Sequence, residues 1–491
     1  WDNTPREFGE RWQLQKVRHY LRHRVLPFSA HYRRLFAEHD LGIEDLRTLG
    51  DLALLPFTQK ADLTGPREHQ RDFVLTPVES VLKGEPALWM DTLLHGRKAA
   101  RQHVVDEFRP VLLTSTTGRT SDPISFRYPK QDLRNLDIAG GRIMRAGSSQ
   151  KEWRHVNLFP FAPHLAFWQT HHAGLAFGAF MVSTGGGKAL GTEGNLRLID
   201  KVQPHIIIGM PTFIYHVMRE AVDRHCRRPD LKRIVLGGEK AAEGLRSRLR
   251  ELASLLGAEG ASVLSTYGFT EAKMAFPECV TQSGMGSSGF HLSPDLGIVE
   301  LVDPATGRPV VEGEPGEVVF TPLEARGTVV LRYRTGDIAE GGLTWERCPH
   351  CGRTVPRLRG PLSRVSEIRS LNLGKLKGTL VNFNLLEHLL DDLRGIAAWQ
   401  LELRKRNDDP HEVDEVVLHL CPEEGVSRED LARKVRHRFV EGTEVTPNEI
   451  QFHDMETLRG LLGVGRLLKE EKIAYHRTQS SAENSNLQIS S

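Results

Sequence analysis

At 491 residues the chain exceeds what one hydrophobic core usually supports, so two or more domains are expected. Lys and Arg number 65 against 63 Asp and Glu, a balance that argues against nucleic acid or an anionic membrane as the main partner and leaves small charged metabolites. No run reaches the roughly 18 apolar residues of a membrane span, the stretch Trp1 to Arg24 is too polar for a signal sequence, and five cysteines do not make a disulfide scaffold. The expectation is a soluble cytoplasmic protein, monomer or homodimer; a first residue other than Met reads as a trimmed or incomplete start.

From Arg11 to Val25, Trp12, Leu14, Val17, Tyr20, Leu21 and Val25 fall mostly at helical spacing, which predicts an amphipathic opening helix. Val111 to Leu113 reads as a strand running into the hydroxyl-rich turn Thr114 to Pro123. There Thr116, Thr117, Gly118 and Thr120 offer hydroxyls and backbone N–H groups to a polyphosphate. No Gly-Lys-Ser/Thr closes it, so it is not a Walker loop, and an ordinary turn is the commoner use of such residues.

Between about 200 and 270, β-rich runs (His205 to Ile208, Arg233 to Leu236, Ser262 to Leu264) alternate with helical stretches, the pattern of a parallel α/β sheet. Ser265-Thr266-Tyr267-Gly268-Phe269-Thr270-Glu271 then falls at a strand's carboxyl end, where open α/β sheets bind ligands. Tyr267 can stack on a purine, Thr270 can bond a phosphate oxygen, and Glu271 can hold Mg²⁺ between phosphates. The plain alternative is a helix start with an acidic first turn. After Gly297 strand runs alternate with turns, as in an antiparallel β subdomain. Within it Tyr333-Arg334-Thr335-Gly336-Asp337 puts a carboxylate beside a glycine, suited to two ribose hydroxyls or to a simple β-turn. From about 365, two strand runs flank Asn407 to Pro410, Ser427 reads as a helix N-cap, and Glu449 to Phe452 as a further strand, giving a small α+β domain.

In this order and at these separations, Thr116 to Pro123, Tyr267 to Glu271 and Tyr333 to Asp337 resemble the three nucleotide motifs of the adenylate-forming superfamily. Leu55-Pro56-Phe57-Thr58-Gln59-Lys60, Gly289-Phe290-His291, Gly316 to Thr321 and Cys348 to Arg353 resemble signatures of its phenylacetate-CoA ligase branch. The resemblance implies an α/β fold. A large N-terminal domain (1–364) would combine parallel α/β sheets with an antiparallel β subdomain, followed by a small mobile α+β C-terminal domain (365–477) and a disordered tail (478–491). It also implies the substrates ATP and CoA with a carboxylic acid, and Mg²⁺ as cofactor. Gly237-Gly238-Glu239 would lie on the adenine side, Asp337 on the ribose, Arg364 at the hinge, and Lys469 would serve the adenylation step by neutralising charge at the α-phosphate. Phe161, His164 and Trp168 fall where relatives line the acyl pocket, and an aromatic wall suits an aryl or apolar acid.

The sequence departs from the family at Arg119, Ser121 and Gly360, and it reads Ser363-Arg364-Val365-Ser366-Glu367 at the hinge. These departures keep two other readings open: transfer of the acyl group to an amine or carrier protein, and a nucleotide-binding homologue without turnover. Cys348 and Cys351 form a Cys-x-x-Cys knuckle of the kind that presents two thiolates to Zn²⁺. The resemblance adds Cys279 and His291 to complete a structural site. A redox pair and ligation by His350 are the alternatives, and Cys226 and Cys421 read as packing residues.

Overall fold

The computed structural model describes residues 2–64, 71–77, 86–116, 123–281, 286–364, 375–376, 379–380, 386, 389–405, 414–443, 446–464 and 470–476. It divides into two compact units, one of Trp1–Lys240 with Leu252–Arg364 and one of Ala241–Glu251 with Val365–Ser491.

The first unit opens with α1 (Arg6–Tyr20), continued by a widened turn over Leu21–Val25. Pro27 has no N–H for the carbonyl of His23, and Arg24 Nη1 takes that oxygen at 2.9 Å instead. Val17, Tyr20, Leu21 and Val25 are buried in a core shared with Tyr32 of α2 (Ala30–Glu38), Phe126, Tyr128, Val329 and Tyr333. Next comes a helical hairpin, α3 (Pro86–His95) and α4 (Arg97–Phe108), turned at Gly96 with φ +83°. Strands β1 (Leu112–Ser115) and β2 (Ser125–Tyr128) pair antiparallel.

A six-stranded sheet follows, built from β3 (Arg154–Pro160), β4 (Phe180–Gly185), β5 (Ile206–Gly209), β6 (Arg233–Leu236), β7 (Ser262–Phe269) and β8 (Met274–Pro277), in the order β4-β3-β5-β6-β7-β8. β5 is apolar and buried along its whole length, as strands covered on both faces are. Helices α5 (Lys130–Ala146) and α6 (Leu165–Phe177) touch so closely that a Cβ on Gly140 would lie 2.6 Å from Ala173 Cα.

β7 corrects the boundary read from sequence. It pairs parallel with β6 only over Ser262 to Ser265, then continues as one arm of an antiparallel hairpin with β8 from Thr266 to Phe269. The Tyr267 motif therefore begins where the parallel pairing ends, on strand and turn rather than at a helix start. The antiparallel β subdomain contains the sheet β10 (Gly297–Val302), β11 (Gly316–Pro322), β12 (Tyr333–Ala339) and β15 (Leu362–Arg364). A smaller sheet joins β13 (Leu343–Thr344), β14 (Arg357–Leu358) and β9 (Phe290–His291).

In the second unit β18 (Ile396–Lys405) pairs antiparallel with β19 (Asp414–Pro422), flanked by parallel β20 (Glu449–Phe452) and β21 (Ile473–His476). Trp399, Leu401, Leu418, Leu431, Val435 and Phe439 form its core. The Ser427 hydroxyl accepts from Asp430 N at 3.4 Å at the start of helix Arg428–Thr443. The short pair β16 (Lys375–Leu376) and β17 (Thr379–Leu380) also belongs to this unit. No helix among the described residues is long and apolar enough to cross a membrane.

Candidate functional site

Two of the three motifs, Tyr267 to Glu271 and Tyr333 to Asp337, meet in the first unit. Between Glu317 and Val319 the register of β11 on β12 shifts, and Gly336 takes φ +73° there, a conformation that costs glycine little. Across that irregularity Asp337, buried, accepts a hydrogen bond from Tyr267 Oη at 3.0 Å and pairs with Arg364 Nε at 2.8 Å. Four residues earlier Tyr333 Oη donates to Glu271 Oε1 at 2.7 Å, at the turn between β7 and β8. Burial pushes the Glu271 carboxyl above the ordinary carboxylate range, and the Tyr333 bond works against that rise. Burial likewise raises both tyrosines, which stay protonated donors.

Gly237 follows β6 directly, and a Cβ there would lie 2.6 Å from Thr266 Oγ1 and 3.3 Å from Phe159 Cζ, so a larger residue would have to displace these two side chains. Gly238 has φ +81°. Glu239 Oε2 accepts from Thr212 Oγ1 at 2.8 Å, a partner not anticipated from sequence. Thr270 occupies the hairpin turn, with Gly268 before it packed on Ala275. Thr116 closes the base of the β1–β2 loop, its N donating to Ile124 O at 3.0 Å and its Oγ1 accepting from Ile124 N at 3.1 Å. Thr117, Gly118, Arg119, Thr120 and Ser121 lie outside the described residues, as do the hinge positions Val365, Ser366 and Glu367, Lys469, and the tail 478–491.

The segment Leu55 to Lys60 has a physical role at this site. Thr58 N donates to Arg332 O at 3.1 Å, Arg334 N to Thr58 O at 2.9 Å, and Thr58 Oγ1 to Leu331 O at 2.7 Å, so the segment braces the strand end that carries Tyr333. Arg332, itself buried, stacks over Phe57 at 4.1 Å and pairs with Glu300 at 3.1 Å. A buried Lys273–Asp132 pair at 2.5 Å, with Asp132 also accepting from Arg326 N and Gly327 N, ties the β7–β8 turn to α5.

His164 Nδ1 donates to Ser115 O at 3.0 Å, which fixes the aromatic segment to the strand leading into the hydroxyl-rich loop. Phe161 is 60% exposed, packs edge to face on Phe167 at 5.3 Å and lies over Gly185, where a Cβ would come within 2.3 Å of its ring. Phe167 stands edge to face with Trp168 at 5.2 Å. Phe159 and Leu165, from the same run, are buried in the interior.

A second cluster lies at the far end of the β7–β8 hairpin. Cys279, His291, Cys348 and Cys351 place their ligand atoms within 4.8 Å of one another. The Cys279–Cys348 sulfur separation is 3.7 Å, against a tetrahedral edge of about 3.8 Å for Zn–S bonds of about 2.3 Å. His291 is fully buried; its Nδ1 donates to Pro277 O at 3.3 Å and its Nε2 lies 3.2 Å from Cys351 Sγ. That carbonyl fixes the ring orientation as outer partners of metal-bound histidines do. Hydrogen bonds from Cys279 and Cys351 hold the Cys348 thiol well below the ordinary thiol range. All five cysteines are free of disulfides, and the donor set and spacing fit a closed tetrahedral Zn²⁺ site. His350 bonds Gly286 O at 2.9 Å and is not part of this cluster.

The fold is that of the adenylate-forming enzymes, and residues 143–322 match the family model described as AMP-binding enzyme. The architecture is similar to a solved 2-hydroxyisobutyryl-CoA ligase in the postadenylation state in complex with 2-HIB-AMP, with a TM-score of 0.73 at 19% identity, covering 100% of this chain and 94% of that one. At that identity the likeness speaks for fold alone. Among sequences, the chain is 29% identical over 371 residues to the phenylacetate-coenzyme A ligase of Thermus thermophilus, covering 74% of this chain and 71% of that one. It is 24% identical over 403 residues to the Escherichia coli protein of the same name, with 80% and 79% covered. The sequence is thus similar to phenylacetate-coenzyme A ligases over about three quarters of its length.

Proposed function

We propose that the protein activates a carboxylic acid with ATP and passes the acyl group to CoA. In the first half-reaction a carboxylate oxygen bonds to the α-phosphorus of ATP, the bond from that phosphorus to the bridging oxygen breaks, and pyrophosphate leaves. In the second, a thiolate sulfur attacks the acyl carbon of the mixed anhydride and AMP leaves with the electron pair of the broken C–O bond. The observation that carries the reading is the meeting of Tyr267 with Asp337 and of Tyr333 with Glu271, 3.0 and 2.7 Å apart, which brings one carboxylate of β12 and one of the β7–β8 turn to the same short stretch of β12.

An ionised carboxylate accepts about four hydrogen bonds, so Asp337 keeps acceptor capacity for two ribose hydroxyls while Tyr267 and Arg364 fix its plane. Glu271 is the residue that would hold Mg²⁺, which when bound offsets phosphate charge. The cation also favours the ionised carboxyl that burial alone disfavours. Gly237, Gly238 and Glu239 form the adenine side, and the hydroxyls of Thr116, Thr117 and Thr120 with the N–H of Gly118 form the phosphate side. By sequence Lys469 supplies the positive charge at the reacting phosphorus, and Arg364 stands at the hinge between the halves of the reaction. Phe161, His164 and Trp168 wall the acid site and favour an aryl or apolar acid. Cys279, His291, Cys348 and Cys351 would hold one structural Zn²⁺ that fastens the hairpin bearing Glu271 to the β subdomain. The cytoplasm is the proposed location, with the chain working as monomer or homodimer.

The test is acid-dependent exchange of pyrophosphate into ATP across a panel of aryl and aliphatic acids, followed by product analysis with CoA, hydroxylamine and amino acids as competing acceptors. Exchange with at least one apolar acid and thioester as the dominant product are expected. Folded, Mg²⁺-replete protein that binds ATP without any exchange would overturn the assignment.

A further inference from the structure

The helical hairpin α3–α4 carries a group of metal-ligating side chains separate from the nucleotide residues and from the thiol cluster. Its two arms are held unequally. α4 is anchored by buried Ala100 and Phe108, the latter edge to face with Phe28 at 5.1 Å. α3 leaves Trp89, Met90, Leu93 and Leu94 60 to 80% exposed, so apolar burial on that face does little to hold a helix of 10 residues. A helix that short is marginal without tertiary support. A polar contact ties it to α4. Asp91 takes His95 Nδ1, one turn on, at 2.7 Å through Oδ1, and His103 Nδ1, from α4, at 2.9 Å through Oδ2. The two imidazoles meet edge to face at 5.6 Å, and the three ligand atoms lie within 4.8 Å of one another.

We propose that Asp91, His95 and His103 bind a divalent transition-metal ion of the zinc class that staples α3 to α4. Two imidazole nitrogens and one carboxylate suit Zn²⁺, Ni²⁺ or Cu²⁺; Mg²⁺ and Ca²⁺ call for oxygen donors. Both rings already aim Nδ1 at one point. Binding moves each neutral ring's proton to Nε2 and trades two N–H···O bonds for two metal–nitrogen bonds, with the carboxylate as third ligand and water as fourth. The ligands span 13 residues of chain across one tight turn, so little loop entropy is lost in gathering them. The ion fixes the pitch of α3 and with it the direction in which Trp89 and Leu93 face solvent. The site is open on one side, unlike the closed Cys₃His cluster.

Metal-free, untagged full-length protein titrated with ZnCl₂ by calorimetry is expected to take up two equivalents, and the H95A/H103A chain one. Cobalt separates the sites. H95A/H103A should keep the thiolate-to-cobalt charge-transfer band, and C348S/C351S should lose that band while retaining weak ligand-field absorption of nitrogen and oxygen ligation. Asp91→Asn, nearly isosteric, should weaken the second equivalent at least tenfold with an unchanged circular dichroism spectrum, which guards against a misfolded double variant. A single wild-type equivalent whose cobalt form shows only the thiolate band, two undiminished equivalents in H95A/H103A, or unchanged affinity in Asp91→Asn would overturn the proposal.

Discussion

Replacing Tyr333 with Phe removes one oxygen atom and with it the 2.7 Å hydrogen bond to Glu271. That bond stabilises the carboxylate and works against the upward push of burial. A hydrogen bond to a charged group contributes about 1.5–3 kcal/mol. Losing it raises the Glu271 pKa further above the ordinary carboxylate range. On the proposal that Glu271 holds Mg²⁺ it must be ionised to do so, and activity then rises as pH climbs through its folded value. The acidic limb of kcat/KM for acid-dependent pyrophosphate exchange, which reports groups of the free enzyme, should therefore move to higher pH in Tyr333→Phe. Rates on that limb fall roughly 10- to 100-fold and recover at higher pH. Tyr267→Phe, whose hydroxyl bonds Asp337 instead, serves as control and should leave the limb in place. An unmoved limb in Tyr333→Phe, or an equal shift in the control, would refute the link between Tyr333, Glu271 and the metal.

Asp337→Ala removes the proposed ribose acceptor and should raise KM for ATP roughly 10- to 100-fold, in keeping with about 1.5–3 kcal/mol of charged hydrogen bonding; initial rates at varied ATP check it, and an unchanged KM speaks against the ribose role. Cys348→Ser should lower zinc content by one equivalent, read by metal analysis, and lower the Tm, whereas retention of both would remove the case for thiol ligation. His155 is fully buried, and burial lowers its pKa from the ordinary 6.5. Below that value the unfolded chain takes up a proton that the folded chain resists, so this contribution to stability is complete above about pH 6.5 and declines as pH falls toward the folded value. Urea unfolding between pH 7.5 and 5 should show a shallower decline for His155→Gln, and an identical slope in both proteins would contradict the assignment.

Much of the fold could be read directly because its periods are clean. Ile206 to Gly209 and Arg233 to Leu236 are short apolar strands between helices, and Ser427 with Asp430 marks a helix start. β7 is longer than the run Ser262 to Leu264 read from sequence: Tyr267 and Phe269 do alternate inward with Thr266 and Gly268, but four residues containing a glycine give a weak signal, and the partner that makes them strand is β8 folding back. The hairpin α3–α4 went unrecognised because Trp89, Met90, Leu93 and Leu94 face solvent and mark no inward stripe. That Ala241–Glu251 groups with the second unit depends on contacts distant in sequence, such as Arg248 bonding Leu393 O at 3.2 Å. At the site, acids, tyrosines and glycines advertised their chemistry by type. Which tyrosine meets which acid did not follow from sequence: the pairing depends on the register shift beside Gly336 and on the brace supplied by Thr58. Likeness in sequence named the segment around Thr58; only its bonds to residues 331–334 explain why a threonine stands there.

Glu271 stands just before β8 and Cys279 just after it, with four strand residues between them. A short rigid rod thus has the proposed catalytic metal at one end and the thiol cluster at the other. Protein prepared with strong chelators would lose its grip on the distal end first, and the symptom would surface as weak magnesium affinity eight residues away. Substrate screens are therefore best run on material grown and purified with zinc supplied, since a bare cluster would disguise a competent catalyst as an indifferent one.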